Sequence, residues 1–86
     1  MTNNADRILE KKRNRDSVLK AAYDIADGSL LVGFETEEIQ QVTGLPNEEI
    51  ESCLEYLNSA GLTKITGFES YSITHEGVTE IEKRFR

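Results

Sequence analysis

Three chain-breaking residues, Gly44, Pro46 and Gly61, constrain the fold of this chain more than any other feature of its sequence. Apolar residues recur at steps of three and four before Gly44 and again over 46–60, which predicts a short helix followed by a longer one. Gly44 is expected to take a positive φ in the turn between them. Pro46 suits the first turn of the second helix, and Gly61 is expected to close it.

Both predicted helices have one apolar face. The short helix is expected to be capped by Thr36 and to bury Ile39 and Val42. In the longer helix the buried stripe includes the one cysteine of the chain, which we expect to act as a small hydrophobe. That stripe consists of Ile50, Cys53, Leu54 and Leu57.

The N-terminal part of the chain predicts a further helix over 15–26, which ends at Asp27-Gly28. Its apolar stripe consists of Val18, Leu19, Ala22, Ile25 and Ala26. The preceding basic stretch continues this stripe poorly. We therefore divide the chain into an N-terminal extension, 1–15, that is helical or frayed, and one folded domain, 16–86.

After Gly61 the apolar period changes from that of a helix to that of a strand. Leu62–Thr66 and Tyr71–Thr74 predict a hairpin joined by Gly67–Ser70, and Leu30–Phe34 predicts one short additional strand. Thr74 is placed to cap a last helix. The inner face of that helix is expected to consist of Val78, Ile81 and Phe85. The predicted class is α+β.

The composition excludes several kinds of protein. Eighty-six residues suffice for one domain, and neither a membrane-spanning stretch nor a signal peptide is visible in the sequence. One Cys cannot form an internal disulfide, and one Cys and one His cannot form a Cys/His zinc site. His75 is expected on the surface, and no third group orients a Cys53–His75 pair for catalysis. We therefore expect no enzyme, cofactor or metal site, and a cytoplasmic location.

Charge is distributed unevenly along the chain. The formal net charge is -6, yet eight of the ten Lys and Arg residues lie within 1–15 and 83–86. Only Lys20 and Lys64 accompany the fourteen acids of 16–82. A polyanion could therefore be attracted only by the two ends of the chain.

The run from Thr36 to Leu62, with Gly44 in the turn and Ala60-Gly61-Leu62 at the exit, resembles the core of a winged helix-turn-helix domain. Tyr71-Ser-Ile-Thr-His-Glu-Gly77 resembles the end of the wing and the start of the last helix in such domains. The resemblance covers roughly 16–86. It implies a three-helix core, a small antiparallel β-hairpin wing and a C-terminal helix.

The resemblance also implies where a partner would bind. In DNA-binding members the second helix of the motif enters the major groove and the wing lies over the phosphate backbone or the minor groove. The residues implied on the helix are Asn47, Glu48, Glu51, Ser52 and Glu55, with Asn58 further along. On the wing they are Lys64 and the exposed or back-folded Phe68.

The charge of this helix departs from the DNA-binding pattern. Residues 46–60 include four Glu and no Lys or Arg, whereas phosphate contacts come chiefly from Lys and Arg. The acidic helix face is therefore a solvated surface, a docking face for a basic protein, or a reader of DNA bases. If DNA binds, we expect the backbone contacts to come from Arg7, Lys11, Lys12, Arg13 and Arg15, helped by Lys64.

Two functions thus remain open. The first is a small transcriptional regulator that binds double-stranded DNA, ranked slightly ahead on the resemblance. The second is a module that binds a basic protein partner, and it follows from the charge distribution. A homodimer is also expected from the resemblance, since winged-helix regulators often pair through terminal helices.

Overall fold

The computed structural model describes residues 4–84, with side chains from residue 5. In this part the chain has an α+β fold of four helices and one three-stranded antiparallel sheet. The elements in chain order are α1 (Asn4–Ala26), β1 (Gly33–Glu35), α2 (Thr36–Thr43), α3 (Asn47–Ser59), β2 (Thr63–Gly67), β3 (Ser70–Ile73) and α4 (His75–Arg84).

The basic stretch and the apolar stripe of the N-terminal region form one uninterrupted helix, α1. Its second half supplies the core, where Val18, Leu19 and Ala22 are buried. Its first turns, over 5–10, are exposed throughout. As predicted, α1 ends before Asp27-Gly28, and Gly28 takes a positive φ of 73°.

Two details of α2 differ from the prediction. Glu35 takes the N-cap position instead of Thr36, and its backbone N–H donates to Glu38 Oε1 at 3.1 Å. Ile39 is buried as expected, but Val42 is 57% exposed. The inward position one turn after Ile39 is taken by Thr43, which is half-buried and donates its hydroxyl to the Ile39 carbonyl at 2.9 Å.

The turn into α3 follows the prediction closely. Gly44 has a φ of 73°, and its N–H donates to the Gln40 carbonyl at 2.8 Å. Pro46 lies at the N-cap of α3, one position earlier than predicted, because its ψ of 150° is extended. The predicted stripe Ile50, Cys53, Leu54 and Leu57 is buried.

The sheet has the strand order β1-β3-β2. The predicted hairpin is confirmed, with Lys64 opposite Ser72 and Ile65 opposite Tyr71. The predicted first strand is shorter than Leu30–Phe34, because pairing with β3 begins only at Gly33. Leu31 lies before this paired segment and is 95% exposed, while Phe34 is buried and its ring lies 6.0 Å from that of Tyr71, centroid to centroid.

Thr74 connects the end of α3 to the start of α4. Its hydroxyl accepts from the Gly77 N–H at 3.0 Å, which confirms the predicted cap, and donates to the Gly61 carbonyl at 2.6 Å. Gly77 lies so close to the chain here that a Cβ on it would come within 2.1 Å of the Leu62 carbonyl oxygen. Ile81 is buried and Val78 packs against the core, while Phe85 lies outside the described residues.

Shortening the central core side chain of α3 should destabilise the protein. Leu54→Ala is expected to lower the free energy of unfolding by about 2 to 5 kcal/mol, because it leaves a cavity in a closely packed core. Val42→Ala, also in a helix but exposed, should change it by less than about 0.5 kcal/mol. Urea unfolding followed by circular dichroism measures both, and equal effects would contradict the core assignment.

Adding one methyl group at Gly77 should also destabilise the protein, because the Leu62 carbonyl occupies that space. We expect Gly77→Ala to lower the free energy of unfolding by about 1 to 3 kcal/mol. Gly67→Ala is the matched control, since the nearest atom to its added Cβ is 4.0 Å away. Thermal unfolding compares the two, and a Gly77→Ala variant as stable as the control would refute the close approach.

Candidate interaction surfaces

The outward face of α3 is acidic and open to solvent. The residues predicted there, Asn47, Glu48, Glu51, Ser52 and Glu55, are all exposed. Asn47 Nδ2 donates to Glu51 Oε1 at 3.3 Å across one helical turn. Asn58 does not belong to this face, because it is half-buried and accepts a hydrogen bond of 2.5 Å from Thr63 Oγ1. Its role is to join α3 to β2.

A cleft of about 300 Å³ lies where α2, the start of α3 and the hairpin meet. We call it the acidic cleft, because three carboxylates line it, those of Glu37, Glu51 and Glu69. The remaining lining consists of Thr36, Gln40, Asn47 and Tyr71, so no Lys or Arg contributes within the described residues. The cleft therefore concentrates negative charge between the helix and the wing predicted from the sequence.

Large apolar side chains are exposed at the hairpin beside the acidic cleft. Phe68, at the tip, is 94% exposed, so of the two predicted orientations it adopts the outward one. Ile65 is 66% exposed, and it lies opposite the cleft residue Tyr71 in the sheet. Its neighbour Lys64 is exposed and points to the other side of the strand. The hairpin thus offers apolar anchors next to carboxylates.

Part of the predicted basic site is engaged within the protein. Lys11 Nζ lies 3.4 Å from Glu49 Oε2, and Asn14 Nδ2 donates to Glu49 Oε1 at 3.0 Å. The Asn14 hydrogen bond, followed by the contact with Lys11, lowers the pKa of the Glu49 carboxyl, and partial burial opposes them. These contacts hold the middle of α1 against the start of α3.

The remaining residues of the predicted basic site have two kinds of environment, an aromatic ring and open solvent. The Arg15 guanidinium stacks over the Tyr56 ring, 3.9 Å from its centroid, a cation–π arrangement. Arg7, Lys12 and Arg13 are exposed on α1. None of these three, nor Lys11 or Arg15, lines the acidic cleft.

Cys53 has the environment of an unreactive thiol. It is buried, and burial followed by the Glu49 charge raises its pKa to about 11. The thiol therefore stays protonated near neutral pH, whereas a nucleophilic Cys needs a lowered pKa. His75 is exposed at the start of α4. In the described part of the chain, no cluster of three His, Cys, Asp or Glu side chains is suited to a metal ion.

Several residues that line these surfaces were not predicted as site residues, among them Glu37, Glu69 and Arg84. Glu37 and Glu69 line the acidic cleft with the predicted Asn47 and Glu51. Arg84, from the far end of the chain, meets the α1 cations at a second groove. In the sequence, Glu37 stands in the first turn of a predicted helix and Glu69 at a predicted hairpin tip. Neither position indicates that the two share a cleft.

Comparison of the chain with protein-family models, with curated proteins and with solved structures finds no match. Among residues 4–84, no helix is both long enough and apolar enough to cross a membrane. The interaction surfaces are therefore interpreted from their own geometry and charge.

The contacts of Glu49 predict a pH-dependent contribution to stability. Its pKa is lowered in the folded state, so the stabilisation is complete above its unfolded pKa of about 4.3 and is lost as the pH falls through the lower, folded value. Glu49→Gln should therefore be less stable than the native protein at pH 7, and the difference should shrink toward pH 3. Urea unfolding at both pH values tests this, and a constant difference would refute it.

Proposed function

We propose that the chain has a winged-helix arrangement and serves as a protein-interaction module that binds a cationic partner. In this arrangement α2, the Gly44 turn and α3 form the helix-turn-helix, and β2 and β3 form the wing. The element order, the positive φ at Gly44 and the three-stranded antiparallel sheet support it. The α3 face and the hairpin are then the binding surface.

The observation that carries the proposed function is the acidic cleft. Glu37 of α2, Glu51 of α3 and Glu69 of the hairpin turn line one concave surface, and no Lys or Arg of the described residues lines it. A partner with Lys or Arg side chains complements this charge. Phe68 and Ile65, exposed beside the cleft, supply apolar contact area for the same partner.

The backbone at Glu69 takes a conformation that is uncommon for a residue with a side chain. Its φ of 57° lies in the left-handed region, where Gly or Asn is normally preferred. A charged residue with a Cβ at this position costs some stability.

Binding to double-stranded DNA is the second candidate, favoured by the exposed Arg7, Lys12 and Arg13 on α1. DNA docked in the winged-helix manner would bring its phosphates against the acidic cleft, and the resulting repulsion opposes binding. This repulsion supports the cationic protein partner as the first candidate, ahead of the DNA-binding function that the resemblance favours.

A titration monitored by NMR distinguishes the two functions. Isotope-labelled protein is titrated at low salt with a synthetic peptide of alternating Lys and Leu, and separately with random-sequence duplex DNA. We expect the peptide to shift the amide signals of Glu37, Glu51 and Glu69, and DNA to leave them unchanged. The variant Glu51→Gln/Glu69→Asn should weaken peptide binding by about tenfold or more, because it removes two of the three cleft charges.

The matched control is Glu10→Gln/Glu76→Gln, which removes two exposed carboxylates that do not line the cleft. It should bind the peptide nearly as the native protein does. Equal weakening in both double variants would mean that only net charge matters. Shifts produced by DNA over α3 and the hairpin would favour the regulator instead.

A further inference from the structure

A second groove, of about 330 Å³, lies on the side of α3 that faces α1. Its apolar lining comes from α1 and from the second half of α3 with its exit. It consists of Ile8, Leu19, Tyr56, Leu57, Ala60 and Leu62. Leu19 and Leu57 are buried at its base, while Ile8 and Tyr56 are more than half exposed at its edges. We call it the α1–α3 groove.

Both basic ends of the chain meet at the α1–α3 groove. Lys12 and Arg15 reach it from α1, and Arg84 reaches it from the end of α4. The one acid in the lining, Asp16, forms an ion pair with Arg84. In a protein with a net charge of -6, this groove therefore has a positive rim above an apolar base.

The three cations differ in whether another group of the protein already holds their charge. Arg15 is held over the Tyr56 ring, and Arg84 is paired with both Asp16 and Glu80. Lys12 is exposed and forms no ion pair with another described residue. Arg15 is thus held by an aromatic ring and Arg84 by two carboxylates, whereas the charge of Lys12 is available to a ligand.

We propose that the α1–α3 groove binds an acidic amphipathic helix of a partner protein. A helix with one apolar stripe can place that stripe between two helical walls. Glu or Asp residues flanking the stripe then face Lys12 and Arg15 at the rim. A nucleic acid would use the same cations but would leave the apolar base unmatched, so the protein helix accounts for more of the surface.

This site is independent of the acidic cleft and has the opposite charge. The two surfaces share no lining residue. If both bind as proposed, the protein can hold one cationic and one acidic partner at once. A negative binding result at one site therefore does not contradict the proposal for the other.

The probe for this site is a synthetic 14-residue helical peptide with leucines along one stripe and glutamates on both flanks. The full chain, isotope-labelled, is titrated with it and followed by NMR. We expect the largest shifts at Ile8, Leu19, Tyr56 and Leu57. Lys12→Glu should weaken binding by about tenfold or more, because it replaces an attraction by a repulsion.

Arg13→Glu is the matched control, because it makes the same change of charge on the adjacent residue, which does not line the groove. At about 0.15 M salt it should weaken binding clearly less than Lys12→Glu does, since its charge lies outside the contact and is partly screened. A second variant, Ala60→Trp, fills the groove at an exposed position. It should abolish binding while thermal unfolding stays close to that of the native protein.

Three results of the peptide titrations would overturn the proposal. The first is equal weakening by Lys12→Glu and Arg13→Glu, and the second is full binding by Ala60→Trp. The third is an absence of shifts in the groove at millimolar peptide. Sedimentation that depends on protein concentration and on Lys12 would assign the groove to a second copy of the chain. Shifts by duplex DNA at the same residues would assign it to nucleic acid.

Discussion

The rest of the structure depends on the close contact between the start of α4 and the exit of α3. Gly77 has room only for a hydrogen opposite the Leu62 carbonyl, and the Thr74 hydroxyl joins this point to Gly61. The β2–β3 hairpin begins after Gly61 and ends before Thr74. Because this contact joins its two ends, it holds the sheet against the helices. It also directs α4 along α1, which places Arg84 beside Asp16.

The separation of charge in this fold follows from where α1 packs. Lys11 and Arg15 are bound to Glu49 and to the Tyr56 ring on one flank of α3. Those contacts keep basic side chains away from the acidic cleft, which retains its three carboxylates. One helix thus has a positive groove on one side and a negative cleft on another, so the proposed partners differ in charge.

Local signals in the sequence predicted most of the elements. Gly44 and Gly61 both take positive φ, and the stripe that includes Leu54 is buried. The errors occurred where a neighbour decided the outcome. Thr43 takes the inward position expected for Val42, and Leu31 lies before the segment that pairs with β3, so both predicted apolar residues are exposed. Periodicity cannot report how far a neighbouring strand or core extends.

The sequence by itself determined the α+β class, the turns and the α3 stripe, because backbone preference and apolar spacing act over a few residues. It also determined that the basic residues lie at both ends of the chain. The structure decided between the two orientations left open for Phe68, which is exposed. Only the tertiary structure decided that Glu37, Glu51 and Glu69 share one cleft and that Lys12 and Arg84 share one groove. Charges far apart in the chain become neighbours only when the helices pack together. That packing depends on side-chain contacts across the whole core, which local sequence patterns do not describe.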